Sequence, residues 1–557
     1  MNNYHWYLKQ DINYGEVGSA DEAIKFQWDE EDSMKLRVIS KGGKIEEYLF
    51  HWECNISLGL DKLNNHTIGV IDGSQLLITP LRRAVPPPPM STSQLKLNAP
   101  INQVFFTPKT YNLFLLLSNG TLNYYKNPNL PALLPPVKKP GKKGLLGQGE
   151  PPNFNVPFEF VENYQIKSPG ESGKSFQFAS VDDLGKKLLG LFVNFQLDKK
   201  IEYFFVEFQL NEESKSFDIK NQIKLSDKPI RLYKNPDYDD ILLSLADGSV
   251  YKYSEKKKQL LSHKKFANSL TVIQTARKHE RKVESIEDLL ELDNENTNES
   301  EEIFIGLTSK GRLFLNDQEL SKECSSFYIH EKYVLFTTLS HKLRFIDLSV
   351  GLQQQTNPDP QAAAPKLNGT FDILNREVER GSRIVSVISH DSKVILQMPR
   401  GNLEIIYPRP LILSHCVDLM DDSEYHTAFV EMRRHRIDLN LLYDYLPSKF
   451  IEHLPEFIQS LDSPSFLNLF LSSLIEEDTT TTIFSSFFKY TNRDENTKNK
   501  HLLPNYLIPP AAKIGKVNKI CTQVRQVSLP IPLSLSLISY FLFLIPFPFI
   551  SILAFST

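Results

Sequence analysis

The chain repeats one local pattern: an apolar run, a short polar turn usually holding glycine, and a second run of branched or aromatic residues. VIDGSQLLITP occupies 70–80, LSNGTLNYYK 117–126, LADGSVYKYS 245–254, LTSKGRLFLND 307–317 and LQMPRGNLEIIYP 396–408; TLSHKLRFIDL at 338–348 is a glycine-free relative. Asp72-Gly73, Asn119-Gly120 and Asp247-Gly248 are tight-turn dipeptides, because glycine takes positive φ there without steric penalty. Each copy reads as a β-hairpin. One hairpin is marginal alone, so six in one chain require repetition around an axis or along a stack. A β-propeller meets that need and leaves only short, protected edges. The expected fold class is mainly β: a WD40-like propeller, without the WD dipeptide at these turns, followed by the start of an α-helical solenoid. The irregular spacing leaves the blade count open.

Long insertions interrupt the repeats. Residues 126–157 are rich in Pro, Gly and Lys, 277–302 are strongly charged, and 352–368 are rich in Gln, Pro and Ala; all three read as loops. After about Ser414 the apolar period changes. Tyr425, Ala428, Phe429 and Met432, and then Phe450, Leu454, Phe457, Ile458 and Leu461, follow helical spacing. Ser463-Pro464 offers an N-cap followed by proline at the first helical position. Such short amphipathic helices suit the start of a solenoid. Residues 527–557 hold no charged side chain and are long enough to span a bilayer, but four prolines interrupt them. Two expectations compete for this tail: a membrane anchor, or a segment foreign to the fold.

Charge and motifs exclude several function classes. The formal net charge is −4, so no global basic field exists to hold nucleic acid. Cys54, Cys324, Cys416 and Cys521 stand far apart, which argues against zinc and against a secreted disulfide framework. A reducing, cytoplasmic setting is expected, with the nucleus as a second compartment. Ser168 to Ser175, SPGESGKS, imitates a phosphate-binding loop, but serine replaces its first glycine and strand-like alternation follows where a helix is required. No catalytic residue, cofactor-binding residue or metal ligand is assigned, and no cofactor is expected. The candidate contacts for a partner or RNA are basic: Arg82 and Arg83 beside the first hairpin, and Arg433, Arg434 and Arg436 at a helix end. A solvated face is the favoured explanation for such clusters over an RNA contact, since cations near a helix C-terminus suit its dipole. Pro86 to Pro89 are expected to form an extended stretch that docks into a partner groove or braces a loop against a blade, bracing being favoured because it follows a strand.

Four stretches carry a family resemblance: NYHWYLKQ at 3–10, VIDGSQLLITPLRRAVPPPPM at 70–90, VERGSRIVSVISHDSKVILQMPRGNLEIIYPRPLIL at 378–413 and EMRRHRIDLNLLYDYLPSKFI at 431–451. In these the chain resembles the largest, IKAP-type scaffold subunit of the Elongator complex. The resemblance implies two tandem propellers, a long solenoid and a dimerising end in the whole protein. Mapped onto this sequence, 1–30 is expected to be a remnant of the first propeller, 31–413 the second propeller, 414–526 the first helical hairpins of the solenoid, and 527–557 a tail outside the fold. It implies a non-catalytic scaffold supporting modification of the tRNA wobble uridine with a carboxymethyl-type group. The implied partners are the catalytic subunit, with its radical S-adenosylmethionine and acetyltransferase-like parts, and a second propeller subunit. Homodimerisation is implied for full-length members through a region absent here, with tRNA met indirectly and no membrane partner. The alternative is a propeller–solenoid coat or tethering protein anchored through its C-terminal tail.

Overall fold

A computed structural model describes residues 7–12, 18–32, 34–50, 52–127, 158–169, 174–195, 201–277, 302–348, 375–461, 463–485, 487–488 and 515–526. The tail at 527–557 lies outside the described residues, as do the three expected loop insertions apart from a few residues at their ends. The chain divides into two units, with the change at Pro408/Arg409.

The first unit is built from antiparallel sheets of three or four strands. Seven of them, among the described residues, are propeller blades spanning 67–96, 101–166, 174–224, 229–265, 270–321, 324–377 and 383–406. Blades 2 and 3 are joined at their rims by a two-residue parallel ladder, Gln165 to Ser216 and Ile166 to Phe217. The six hairpins read from the sequence are the second and third strands of blades 1, 2, 4, 5, 6 and 7. Blade 3 is not among them: five residues without glycine separate Lys187–Phe195 from Ile201–Asn211, whereas the glycine-free hairpin of blade 6 has only three between its strands. At Gly248 the turn geometry is compulsory: φ is +83°, and a Cβ would sit 2.1 Å from the Phe266 carbonyl oxygen.

In blades 2 to 7 the second strand is a largely buried apolar run, such as Leu113–Leu117, Ile241–Leu245 and Tyr333–Thr338. Sandwiching between neighbouring blades explains why these strands show no alternation. Between blades 2 and 3, Phe105, Phe114, Phe178 and Phe192 fill the gap. Between blades 3 and 4, Leu191, Phe205, Leu232 and Leu243 do so. Polar rivets join the innermost strands. Gln103 donates to the Phe178 carbonyl at 3.1 Å and accepts its N–H at 3.0 Å. Gln177 repeats this device with Leu232 at 2.8 and 2.9 Å. Between blades 6 and 7 a serine replaces the amide, and Ile384 N–H donates to Ser326 Oγ at 2.8 Å.

A further sheet of Ala23–Trp28, Lys35–Ser40 and Ile45–Leu49 precedes the ring. A boundary at residue 30 would pass between the first two strands of this one sheet. Its outer strand exposes Ile24, Phe26 and Trp28.

The second unit is helical: α1 (Arg409–Asp421), α2 (Tyr425–His435), α3 (Leu441–Asp444), α4 (Pro447–Ser460), α5 (Pro464–Ser473) and α6 (Lys516–Gln526). Helix begins at Arg409, ahead of the change of period near Ser414, because α1 is buried on most sides and shows little amphipathic pattern. Phe450, Phe457 and Phe470 form an aromatic core with ring centroids 5.5–5.9 Å apart. Ser463 Oγ accepts the Ser465 N–H at 3.3 Å with Pro464 at the first helical turn, as the sequence indicates. Asp444 and Lys516 meet at 2.8 Å with both side chains 2% exposed. Thr479 donates its N–H and hydroxyl to the same carboxylate at 2.9 Å. No helix among the described residues is long and apolar enough to cross a membrane.

Candidate interaction surfaces

The propeller must close its ring, and the residues that close it include one of the sequence candidates. Residues 54–58 supply the innermost strand of blade 1: Ser57 N–H donates to Thr67 O at 2.9 Å and Gly69 N–H to Asn55 O at 2.8 Å. Ile56 and Leu81 then pack against Val385, Ile388 and Ile395 of blade 7. Arg82 follows the third strand of blade 1. Its Nε donates to Asn64 O at 2.8 Å, and its Nη2 reaches across to Ser389 O of blade 7 at 3.0 Å. Lys393 of blade 7 returns a bond to Arg82 O at 3.0 Å. Arg82 is thus committed to the closure. Arg83 beside it is half-buried, and desolvation holds its pKa below the ordinary arginine value.

His66 lies in the same seam, fully buried, with φ at +48°. Ser389 N–H donates to its Nε2 at 3.1 Å, so that nitrogen must be an acceptor and Nδ1 carries the proton, 3.0 Å from Ser386 Oγ. Burial, reinforced by the nearby positive charge of Arg82, pushes the His66 pKa down to about 3.

The loop 59–65 crosses the end of the ring where the turns after the innermost strands converge. Leu60 N–H donates to Asp237 of blade 4 at 2.9 Å, and Ser389 Oγ of blade 7 donates to Gly59 O at 3.2 Å. Gly59 sits 3.3 Å, by its missing Cβ, from Tyr111 Oη of blade 2. His390 Nε2 lies 3.1 Å from Leu60 O and 2.8 Å from the Glu331 carboxylate of blade 6. Asn64 pins the loop base through Ser57 Oγ at 2.8 Å and its own bonds to Ser57 O and Gly59 O at 3.0 Å each. This end is therefore a plugged polar surface. No local sequence pattern marks this end, because its contacts join residues from distant blades.

The other candidates sit together at the end of α2. Arg433 and Arg434 are exposed in its last turn and Arg436 follows it. Arg433 stacks over the Phe466 ring at 4.1 Å, and Arg434 lies 3.6 Å from Glu431. The helix ends in a Schellman turn: Ile437 N–H donates to Met432 O at 2.8 Å, with Ile437 and Met432 both buried. The left-handed position at that turn is occupied by Arg436, φ 55° and ψ 45°, where glycine is usual. A bulky side chain held there is strained. The arrangement can engage a carboxylate or phosphate by bidentate bonds. No group of His, Cys, Asp and Glu that could hold a metal occurs among the described residues. A strand, Lys174–Ser180, follows the phosphate-loop look-alike, where a nucleotide site would need a helix N-terminus.

Two family models match the chain: "ELP1 N-terminal second beta-propeller" over 70–385 and "ELP1 alpha-solenoid" over 409–529. Proteins called Elongator complex protein 1 are similar to it along most of its length. The Mus musculus protein is 30% identical over 506 residues, covering 87% of this chain. The Saccharomyces cerevisiae protein is 28% identical over 537 residues, covering 95%, and that of Schizosaccharomyces pombe 28% over 530, covering 94%. The chain spans 36% of the length of each of these relatives.

Two outcomes follow from these side chains. Unfolded histidine takes a proton near pH 6.5 while folded His66 resists it down to about pH 3. The seam is therefore at full strength above pH 6.5 and weakens as pH falls from there towards 3. Between pH 7.5 and 5 the His66 contribution to unfolding free energy should drop by about 2 kcal/mol. Urea melts at the two pH values check this: His66→Asn should shrink the pH difference by that amount. Arg436→Gly should raise stability by about 0.5–1 kcal/mol by relieving the left-handed arginine, read as a higher urea midpoint.

Proposed function

The chain belongs to the Elongator complex protein 1 family, and from that membership we propose that it is a non-catalytic part of the Elongator scaffold. The observation carrying this is the extent of the match: both units, propeller and helices, fall in the same order within one family. The proposed role is to hold the Elongator catalytic subunit, and with it a second propeller subunit, while that catalytic subunit builds the carboxymethyl-type group on the wobble uridine of tRNA. Contact with tRNA is then indirect, and dimerisation belongs to the whole protein. The division proposed for this chain is a preceding sheet, a propeller ending at Pro408 and the opening helices of a solenoid.

The charged groups support a binding role. Arg82 and His66 lock blades together, and Asp444 with Lys516 anchors a helix. The exposed group at Arg433, Arg434 and Arg436 lies instead at the end of α2, where Arg433 stacks on Phe466 and Arg434 pairs with Glu431, and it offers a basic face to an acidic surface on another subunit. Its charge is then complementary in a way that sets encounter rate and register more than raw affinity.

The test is made in the source cell. Disrupting the gene should abolish carboxymethyl-type nucleosides in hydrolysed tRNA, measured by mass spectrometry, and restoring the gene should return them. The catalytic subunit should co-purify with the gene product. Unchanged wobble nucleosides after disruption would overturn the proposal.

A further inference from the structure

Blades 2 to 6 each contain four strands, and blade 1 does once residues 54–58 are counted. Blade 7 contains three among the described residues, Arg383–Val387, Val394–Gln397 and Leu403–Ile406. The last of these is an edge. In its hairpin, Met398 N–H donates to Asn402 O at 2.9 Å, and the register pairs Leu396 with Glu404 and Val394 with Ile406. Antiparallel alternation then turns the backbone groups of Glu404 and Ile406 inward, and those of Leu403 and Ile405 outward. Natural edges of this kind are normally paired or blunted.

The two faces beside that edge differ. On one side a groove of about 240 Å³ separates it from blade 6. Its floor is apolar, made by Leu396, Ile406 and Val378, and its rim carries the carboxylates of Glu377, Glu379 and Glu404 against the single cation of Arg376. All three glutamates are exposed. The groove is too small for a drug-sized ligand. On the other side Ile405 is 41% exposed.

We propose that this edge docks a basic, extended segment of a partner protein, added as an antiparallel fourth strand with lysine or arginine at alternate positions. The period-two alternation of a strand sends its basic side chains to one face and its apolar side chains to the other. Aliphatic stems lie on Leu396, Ile406 and Val378, and the cationic heads reach the three glutamates. The intervening apolar residues cover Ile405, and their backbone groups pair with Leu403 and Ile405. The site stands on the geometry of blades 6 and 7 and is independent of the Elongator assignment.

The probe is a fluorescein-labelled heptapeptide of alternating lysine and valine, titrated with the full chain and read by anisotropy. Saturable binding is expected. The double variant Glu377→Lys/Glu404→Lys, at exposed positions and checked for an unchanged melting curve, should weaken it at least about tenfold. N-methylating the valines, which removes their donors, should abolish it. A peptide of the same composition in block order should bind at least about tenfold more weakly. The proposal is overturned by absence of saturable binding, by equal binding of a glutamate–valine peptide, or by an unchanged affinity after charge reversal. Binding seen only after residues 138–143 are replaced by glycine and serine would also overturn it, by making the chain's own basic segment the occupant.

Discussion

Ring closure is the constraint on which the propeller depends. A linear stack of blades would leave two apolar faces open, one on blade 1 and one on blade 7. Here the chain meets itself across 300 residues of sequence, and the seam combines apolar packing with reciprocal bonds. Ile56 and Leu81 press on Val385 and Ile388, while Arg82 and Lys393 each donate to the other blade's backbone. His66 is held neutral by its burial, with Arg82 nearby, and its Nε2 accepts the Ser389 N–H, a bond that only the uncharged ring can make. An unpaired donor or acceptor in this seam would carry a penalty of about 1–3 kcal/mol, so the polar set must be complete or the seam opens.

The closure also explains how much of the fold was legible in the sequence. Turns were legible, because the positive φ demanded at positions such as Gly248 writes glycine into the text. Five blades could therefore be found by glycine turns, and blade 6 by the short link of three residues between its runs, whereas the runs of blade 3 are separated by five residues without glycine. The closing strand at 54–58 carries no period of its own and is defined only by its distant partner. Helix α2 announced itself by its spacing, but α1 is buried almost all round and so lost its period. Among the candidate side chains, sequence treated Arg82 like any exposed cation. Nothing local records that a carbonyl of residue 389 lies 3.0 Å away. The pair of Asp444 and Lys516 was equally hidden, since its members are separated by polar text and joined only by the helical packing.

The propeller carries polar loops across one end, and the same chain adds a helical unit. Its buried ionic groups hold elements in place; each depends on its partner, because breaking such a pair strands a charge in the interior. The surfaces left over are of opposite character. The turn after α2 gathers three arginines, one of them in a strained backbone position. The rim of blade 7 gathers three glutamates beside an open strand edge. Each favours a partner of a different charge.

The most direct measurement of the closure is hydrogen–deuterium exchange by mass spectrometry on the full chain and its Arg82→Gln variant. If blades 1 and 7 lock the ring, loss of the guanidinium should raise exchange together in 54–85 and 383–397, while 229–321 keeps its protection. Raised exchange confined to the residues around 82, or spread evenly over every blade, would contradict the seam as the keystone of the propeller.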